Sequence, residues 1–299
     1  DIPFLPERME TRFDRWLIDA LLKVAGFRHA FSFVERGGWY SADAFVSWLR
    51  DKLNAGEYEG RPRNFGDSTF SQFFEATKTQ LTLIATDTTG RRMLVLNHMT
   101  APDCPILWAT RMSMSIPFLW QEVTWQESWG TYRGEAMAGN KIVDGGVLSN
   151  FPIELFLSSQ EHVTAVMGPK RSQHILGLLI DEHLAVKDAP APASNGGGSG
   201  LGDMRTMARI GALLNSITTA HDKRVLEAFQ RLVIRLPAKG YGTIEFDMSD
   251  ERRDALVAAG REATRNYFAL QPAAVPRTGV AAPDPMRTAD SIATRLLEE

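Results

Sequence analysis

The residues best suited to chemistry are an aspartate followed by two glycines, Asp144, Gly145 and Gly146. The apolar residues just before them, 141–143, predict a short strand, and α/β sheets usually place ligand sites at strand ends. Two glycines after the aspartate favour a sharp turn that leaves its carboxylate uncovered. A carboxylate placed there can accept the proton of a hydroxyl that attacks an ester. Since Asp-Gly is also a common turn dipeptide, a plain turn is the alternative interpretation.

Four segments of the sequence, the one around Asp144 and three upstream of it, favour the chemical interpretation. Asp-Gly-Gly followed by the Asn-x-Pro of residues 150–152 resembles the aspartate block of patatin-like phospholipases. Residues 109–118 resemble the Ala-x-x-x-Ser-x-Ser-x-Pro stretch that precedes this aspartate in the family. Residues 37–45 resemble the segment that opens the helix after the nucleophile region, and residues 82–87 resemble a strand that precedes a hairpin. The resemblance spans roughly residues 35 to 270.

The resemblance implies a serine–aspartate dyad that hydrolyses the acyl esters of phospholipids. In that mechanism a serine attacks the ester carbonyl, and Asp144 is the general base. Gly145 and Gly146 shape the turn that exposes its carboxylate. The dyad lacks the histidine of a triad and depends on a pre-formed oxyanion hole. The resemblance implies no metal and no organic cofactor, and it leaves open an acyltransferase in which an alcohol replaces water.

The nucleophile that Asp144 should serve is missing from the sequence. Its 299 residues contain no Gly-x-Ser-x-Gly elbow, and the nearest string, at 197–201, ends in leucine and lies in a Gly-rich loop. The chain starts at Asp1, without an initiator Met, which suggests a cut or processed end. We therefore expect a preceding or separately held segment to supply the serine and the oxyanion loop. The alternative is a catalytically inactive patatin-like binding or scaffold module.

Hydrophobic periodicity predicts the elements that position the aspartate. Helical stripes alternate with short apolar runs that suit strands covered on both faces, so we predict a three-layer α/β/α fold. The predicted helices are 11–25, 41–53, 105–115, a segment around 207–217 and one that Ser249 caps. The predicted strands are 81–86, 93–96, 141–143, 163–166, 175–180 and 233–236.

The same pattern sets the expected domain organisation. Residues 1–270 are predicted to form one patatin-like domain that lacks its nucleophile segment. Within it, the Pro-, Gly- and Ser-rich residues 188–202 are expected to be a flexible loop. Residues 271–299 read as a Pro/Ala-rich tail with a short helix near 292–297.

Composition limits the classes of partner. The net charge is −3, with 33 basic and 36 acidic residues, so nucleic-acid binding is not expected. No apolar run is long enough to span a bilayer, and a phospholipid substrate therefore implies peripheral membrane contact. The single cysteine, Cys104, is expected to be a buried apolar residue. It is compatible with the cytoplasmic location that we expect, although a secreted protein without disulfides would look the same. The oligomeric state is left open.

Several other side chains can be interpreted either as structural or as functional residues. Four of the seven tryptophans, at 108, 120, 125 and 129, could form a lipid-facing rim or pack in the core. The rim requires Trp125 and Trp129 to be exposed. Asp87 is expected to be a turn residue, residues 181–183 (Asp-Glu-His) a loop after a strand, and Arg252 and Arg253 a solvated helix face. The six histidines show no metal-binding spacing.

Overall fold

Helices and strands are mixed along the chain, which confirms the predicted α/β class. The chain divides into two compact units, residues 1–148 and 149–298, and each is described by itself. The structure is a computed structural model that describes residues 37–170, 172, 174–191, 229–242, 248–270 and 285–298.

The described part of the first unit, residues 37–148, is built from short strands and three helices. Its described strands are β1 (Gly38–Tyr40), β2 (Glu57–Tyr58), β3 (Arg61–Pro62), β4 (Leu83–Asp87), β5 (Arg92–Leu96), β6 (Phe118–Trp120), β7 (Val123–Thr124), β8 (Thr131–Tyr132), β9 (Glu135–Ala136) and β10 (Lys141–Asp144). Its described helices are α1 (Asp43–Asn54), α2 (Phe70–Thr77) and α3 (Ile106–Ser113), with single 3-10 turns at Glu127–Trp129 and Gly145–Val147.

Four of these strands form an antiparallel sheet in the order β5-β4-β10-β7. Strands β4 and β5 pair as the predicted hairpin, and Asp87 closes it. Its Oδ1 accepts hydrogen bonds from the amides of Thr89 at 3.1 Å and Gly90 at 2.9 Å. Its Oδ2 accepts one from the Asn140 side chain at 2.9 Å, just before β10. Asp87 is thus the turn residue that the sequence predicted, and it also ties the hairpin to β10.

Strand β1 pairs with β6 in a parallel ladder, with Gly38 opposite Phe118. Helix α1 follows β1 and confirms the helix predicted at 41–53, although it begins at Asp43. The N-cap is Ala42, at a left-handed φ of 59° and without a side-chain cap. The Ser41 hydroxyl reaches the Asp43 amide only at 3.4 Å, because the left-handed residue starts the helix one position later.

The core of the first unit packs the antiparallel sheet against α3 and the loops before β10. Trp125 and Trp129 belong to it, with exposed fractions of 1% and 7%, so the lipid-facing rim predicted as one possibility is wrong. The Trp125 indole donates to the Gly130 carbonyl at 3.0 Å, and its ring meets Trp129 edge-on at 6.0 Å. Cys104 is fully buried, as predicted, and burial raises its pKa to about 12.

Among its described residues, the second unit combines four helices with a parallel pair of strands. Its described elements are α4 (Glu154–Leu157), α5 (Glu161–Met167), β11 (Gly177–Ala185), β12 (Val233–Lys239), α6 (Asp250–Leu270) and α7 (Pro285–Glu298). Strands β11 and β12 confirm the strands predicted at 175–180 and 233–236.

Two local predictions in this unit are wrong. Residues 163–166 lie in helix α5, where Val163 and Val166 are buried three positions apart, as on one helical face. A short apolar run is ambiguous between a strand and a buried helix segment, and helical packing decided this one. Residues 181–183 lie inside β11 and not in a loop after it. Asp181 is buried there and pairs with the guanidinium of Arg235.

Helix α6 begins as predicted, because the Arg252 amide donates to the Ser249 hydroxyl at 3.3 Å. The predicted solvated face is only half correct. Arg253 is exposed and pairs with Asp250 at 2.6 Å. Arg252 is 2% exposed, and its guanidinium lies 4.2 Å from the centroid of the Tyr241 ring. Favourable contact with an aromatic face offsets part of the desolvation of this charge.

Helix α7 runs through the predicted C-terminal tail and is longer than the short helix expected near 292–297. It buries Ala289, and the Asp290 carboxylate accepts a hydrogen bond from the Ser158 hydroxyl at 2.6 Å. The predicted domain boundary at 270 stays a prediction. Within the described ranges, no helix combines the length and apolarity needed to cross a bilayer. The helices predicted at 11–25 and 207–217, and residues 192–202 of the predicted loop, lie outside the described residues.

Candidate active site

Asp144 is the last residue of β10, so the predicted placement at the end of a strand is confirmed. Its backbone is held from two sides. In the sheet it lies opposite Ala85 of β4. Its amide donates to the Ser115 carbonyl at 3.0 Å. The side chain therefore leaves the sheet from a backbone that both the β-ladder and the turn after α3 hold in place.

The Asp144 carboxylate is partly buried and faces its own turn. Its Oδ1 accepts a hydrogen bond from the Gly146 amide at 2.8 Å. Burial raises the pKa of Asp144 from 3.8 to about 6, and the Gly146 hydrogen bond opposes that rise. A pKa near 6 lets the group be ionised at neutral pH and still hold a proton well enough to act as a base. The second oxygen, Oδ2, is the one left for a transferred proton.

Position 145 requires a glycine because there is no room for a side chain, and not because of an unusual backbone angle. The sequence suggested that the glycines make a sharp turn, but Gly145 lies in an ordinary 3-10 turn without a positive φ. A Cβ at this position would lie 2.6 Å from the Ile84 carbonyl oxygen of β4, closer than non-bonded atoms approach. The missing side chain therefore lets the turn after Asp144 press against the neighbouring strand.

The block that resembles the family's Ser-x-Ser-x-Pro stretch lies in α3 and in the turn after it. This turn brings Ser115, through its carbonyl, to the amide of Asp144. The Ser115 hydroxyl is buried and bonded to Arg111, by accepting from the guanidinium and donating to the carbonyl. Such a hydroxyl is not free to attack an ester. The contacts of Ser115 are those of a residue that shapes the site, since it is bonded to Arg111 and to the Asp144 amide.

Arg111 is a residue that the sequence analysis did not single out. It is 2% exposed on α3, and burial lowers its pKa to about 10, with Asp43 opposing the fall. The available signal was an arginine at the position four residues before Ser115, on an otherwise apolar helix. The residues that the structure describes contain no cluster of three or more His, Cys, Asp or Glu side chains that could hold a metal ion.

Comparison with known proteins supplies the family. A model of the family "Patatin-like phospholipase" matches residues 5–157. This match begins and ends earlier than the span of 35–270 suggested by the motifs, and it includes Asp144, Gly145 and Gly146. "Uncharacterized protein YqhO" of Bacillus subtilis (strain 168) is 29% identical over 240 residues, which cover 78% of this chain and 68% of that protein.

Proposed function

This chain belongs to the patatin-like phospholipase family, and from that premise we propose that it takes part in hydrolysing phospholipid acyl esters with Asp144 as general base. The family implies lipid substrates and lipid acyl hydrolase activity. The observation that carries the finer proposal is the partly buried Asp144 carboxylate at the end of β10, whose pKa is raised to about 6. Its position and proton affinity both suit a base that acts on a neighbouring hydroxyl.

The proposed reaction has two steps that share one base. A serine oxygen attacks the ester carbonyl, and its proton passes to Oδ2 of Asp144 while Oδ1 keeps its hydrogen bond to Gly146. Asp144 returns the proton to the alcohol as it leaves, so the carboxylate is ionised again and an acyl-serine remains. In the second step Asp144 takes a proton from the water that attacks the acyl group and passes it to the serine oxygen as the fatty acid leaves. Backbone amides of an oxyanion loop would stabilise both tetrahedral intermediates.

We propose that the serine comes from sequence outside these 299 residues, because no Gly-x-Ser-x-Gly elbow occurs within them. The test is to label the full-length protein with a fluorophosphonate and to identify the modified residue by mass spectrometry. One labelled serine in a Gly-x-Ser-x-Gly sequence would support the dyad. A full-length protein without labelling and without phospholipid hydrolysis would favour the alternative, a catalytically silent lipid-binding or scaffold module. The observation that favours this second candidate function is that these 299 residues contain no Gly-x-Ser-x-Gly elbow.

The pH dependence of the rate follows from the Asp144 pKa. The carboxylate must be ionised to accept a proton, so hydrolysis should fall as the pH drops through about 6. Well below that pH the rate should fall about tenfold for each pH unit. Initial rates of phospholipid hydrolysis between pH 4 and 9 check this. A rate that stays constant down to about pH 4 would be inconsistent with Asp144 as the base in this environment.

We further propose that two exposed aromatic side chains on the paired strands β1 and β6 contact the lipid surface. Tyr40 on β1 and Phe118 on β6 are 44% and 45% exposed, and the Tyr40 ring lies 5.8 Å from that of Trp120. Phe118 has a φ of 67°, which is unfavourable for a bulky residue. Holding a phenylalanine where glycine would be less strained suggests that its outward side chain has a use.

The double variant Tyr40→Ser/Phe118→Ser should bind phosphatidylcholine vesicles about tenfold more weakly than the wild-type protein, since two apolar rings no longer enter the interface. Vesicle co-sedimentation at several lipid concentrations measures this. Phe268→Ser is the matched control, because Phe268 is 58% exposed on α6 of the other unit. Equal losses of vesicle binding in the control and the double variant would indicate nonspecific adsorption and contradict a specific lipid-binding surface.

The cytoplasmic location stays a prediction, which fractionation of cells can test.

A further inference from the structure

Arg111 is a charged residue buried inside the first unit. Its Nη1 donates to the Ser115 hydroxyl, and its Nη2 donates to the backbone carbonyls of Gln121 at 2.8 Å and Ser41 at 3.4 Å. Within the described part of the chain, no carboxylate forms a salt bridge with it. The Asp43 carboxylate acts on the pKa of Arg111 through space and raises it, against the larger effect of burial.

Burying a guanidinium in a core has a higher free-energy cost than burying an apolar side chain of similar size. Removing a charge from water is unfavourable, and well-packed apolar side chains often serve as well or better. At about 10 the lowered pKa still leaves Arg111 charged at neutral pH. Its rigid fork of donors, however, can hold several oxygen atoms at once in a fixed geometry, which an apolar side chain cannot do. The hydrogen bonds of Arg111 therefore point to positioning.

Each of the three residues that Arg111 holds lies just after a strand or helix of the first unit. Ser41 follows β1, Gln121 follows β6, and Ser115 follows α3. Ser115 is the link to the candidate base, because its hydroxyl is bonded to Arg111 and its carbonyl accepts the Asp144 amide at 3.0 Å. The path from the guanidinium to the backbone of Asp144 thus passes through a single residue.

We propose that Arg111 is the positioning residue of the candidate base, which fixes Ser115 and, through the Ser115 carbonyl, the end of β10 from which the Asp144 side chain leaves the sheet. This inference rests on the proposed function of Asp144. Arg111 itself does not act on the ester, since its donors are used within the protein. Its removal should loosen the turn at Ser115, so that the Asp144 carboxylate is less well placed and more hydrated.

The test compares Arg111→Met, Arg111→Lys and Ser115→Ala with Arg50→Met, in the full-length protein. Arg50 is a suitable control, because it is 45% exposed in its side chain and pairs on the surface with Asp67. Two measurements are made on each variant: kcat and KM for phospholipid hydrolysis, and the titration of the Asp144 carboxyl by NMR of ¹³C-labelled aspartate. The Asp144 signal is assigned as the one missing from Asp144→Asn.

Arg111→Met should lower kcat roughly 10- to 100-fold with little change in KM, as expected for a displaced catalytic group. The Asp144 pKa should move from about 6 towards 3.8, because a loosened carboxylate is better hydrated. Arg111→Lys should recover part of both effects by restoring one donor. Arg50→Met should alter neither.

A folded Arg111→Met variant with unchanged kcat and an unchanged Asp144 titration would overturn the proposal. If Arg111→Met does not fold, the lysine variant and Ser115→Ala make the same comparison with smaller perturbations. The NMR titration does not need turnover. If the wild-type protein proves inactive, a shifted Asp144 pKa in the Arg111 variants would still support positioning while the proposed function fails.

Discussion

Replacing Asp144 with asparagine should lower phospholipid hydrolysis by the full-length protein at least about 10³-fold at neutral pH. Asparagine keeps the shape of the side chain and can still accept the Gly146 hydrogen bond, but it cannot take a proton from the attacking serine. Positioned acid–base groups typically contribute 10²- to 10⁴-fold to a rate, and the dyad has no histidine to share this role. Steady-state hydrolysis of a phospholipid, with fluorophosphonate labelling as a second measure, checks the prediction.

The same variant should be as stable as the wild-type protein or more so, which separates lost chemistry from lost folding. The folded-state pKa of Asp144, about 6, lies above its ordinary value of 3.8, so the folded state binds this proton more tightly. The ionised carboxylate therefore destabilises the fold increasingly as the pH rises from about 4 through 6. Asparagine removes that penalty, which is up to about 3 kcal/mol at pH 7–8 and absent near pH 3.

Asp87→Asn is the control that should behave in the opposite way. Asp87 is fully buried in the same sheet, where it accepts turn amides and lies 3.6 Å from the Arg92 guanidinium. Its loss should destabilise the β4–β5 hairpin and leave the activity of the folded protein largely intact. If Asp144→Asn instead retains the wild-type rate, the dyad is refuted and Asp144 is only a turn residue.

The features that could be predicted from the sequence were mainly those that a pattern of a few adjacent residues determines. The run before Asp144, the β4–β5 hairpin and the cap of α6 each carry their signal within a few residues, and the structure has all three. The segment 163–166 also looked like a strand, but nothing local distinguishes four apolar residues in a strand from four in a buried helix. The prediction of a strand at 163–166 was wrong because only tertiary packing distinguishes the two structures.

The site shows the same division. Asp144 at a strand end was predictable, because a short strand and a following Asp-Gly-Gly stand next to each other in the sequence. The reason for Gly145 was not predictable, since the atom that excludes a side chain belongs to Ile84, distant in sequence. The role of Arg111 was hidden for the same reason, because Gln121 and Ser41 become its neighbours only in the fold. Burial of Trp125 and Trp129 depended equally on distant packing.

Gly38→Ala should destabilise the protein more than any surface substitution, by about 3 kcal/mol or more. A Cβ on Gly38 would lie 2.1 Å from both the carbonyl carbon and the oxygen of Trp120, and these backbone atoms cannot rotate away. Overpacking against side chains costs about 1–3 kcal/mol, and a clash with backbone must separate the strands themselves. The ladder between β1 and β6 would open, including the hydrogen bond of 2.9 Å from the Gln121 amide to the Tyr40 carbonyl. Urea and thermal unfolding measure the loss.

Gly260→Ala is the matched control, and its effect should have the opposite sign. Gly260 lies inside helix α6 at an ordinary backbone angle, and the nearest atom to an added Cβ is a Leu236 methyl at 3.9 Å. Alanine there should raise stability by about 0.5–1 kcal/mol, because glycine loses more conformational entropy in a helix. The comparison separates the steric demand at β1–β6 from the general effect of exchanging glycine for alanine. Equal effects of the two variants on stability would mean that β1 and β6 are not pressed together at Gly38.

Since Ser41 and Gln121 follow these strands, a folded Gly38→Ala protein should also show the lower kcat and the lower Asp144 pKa expected for the Arg111 variants.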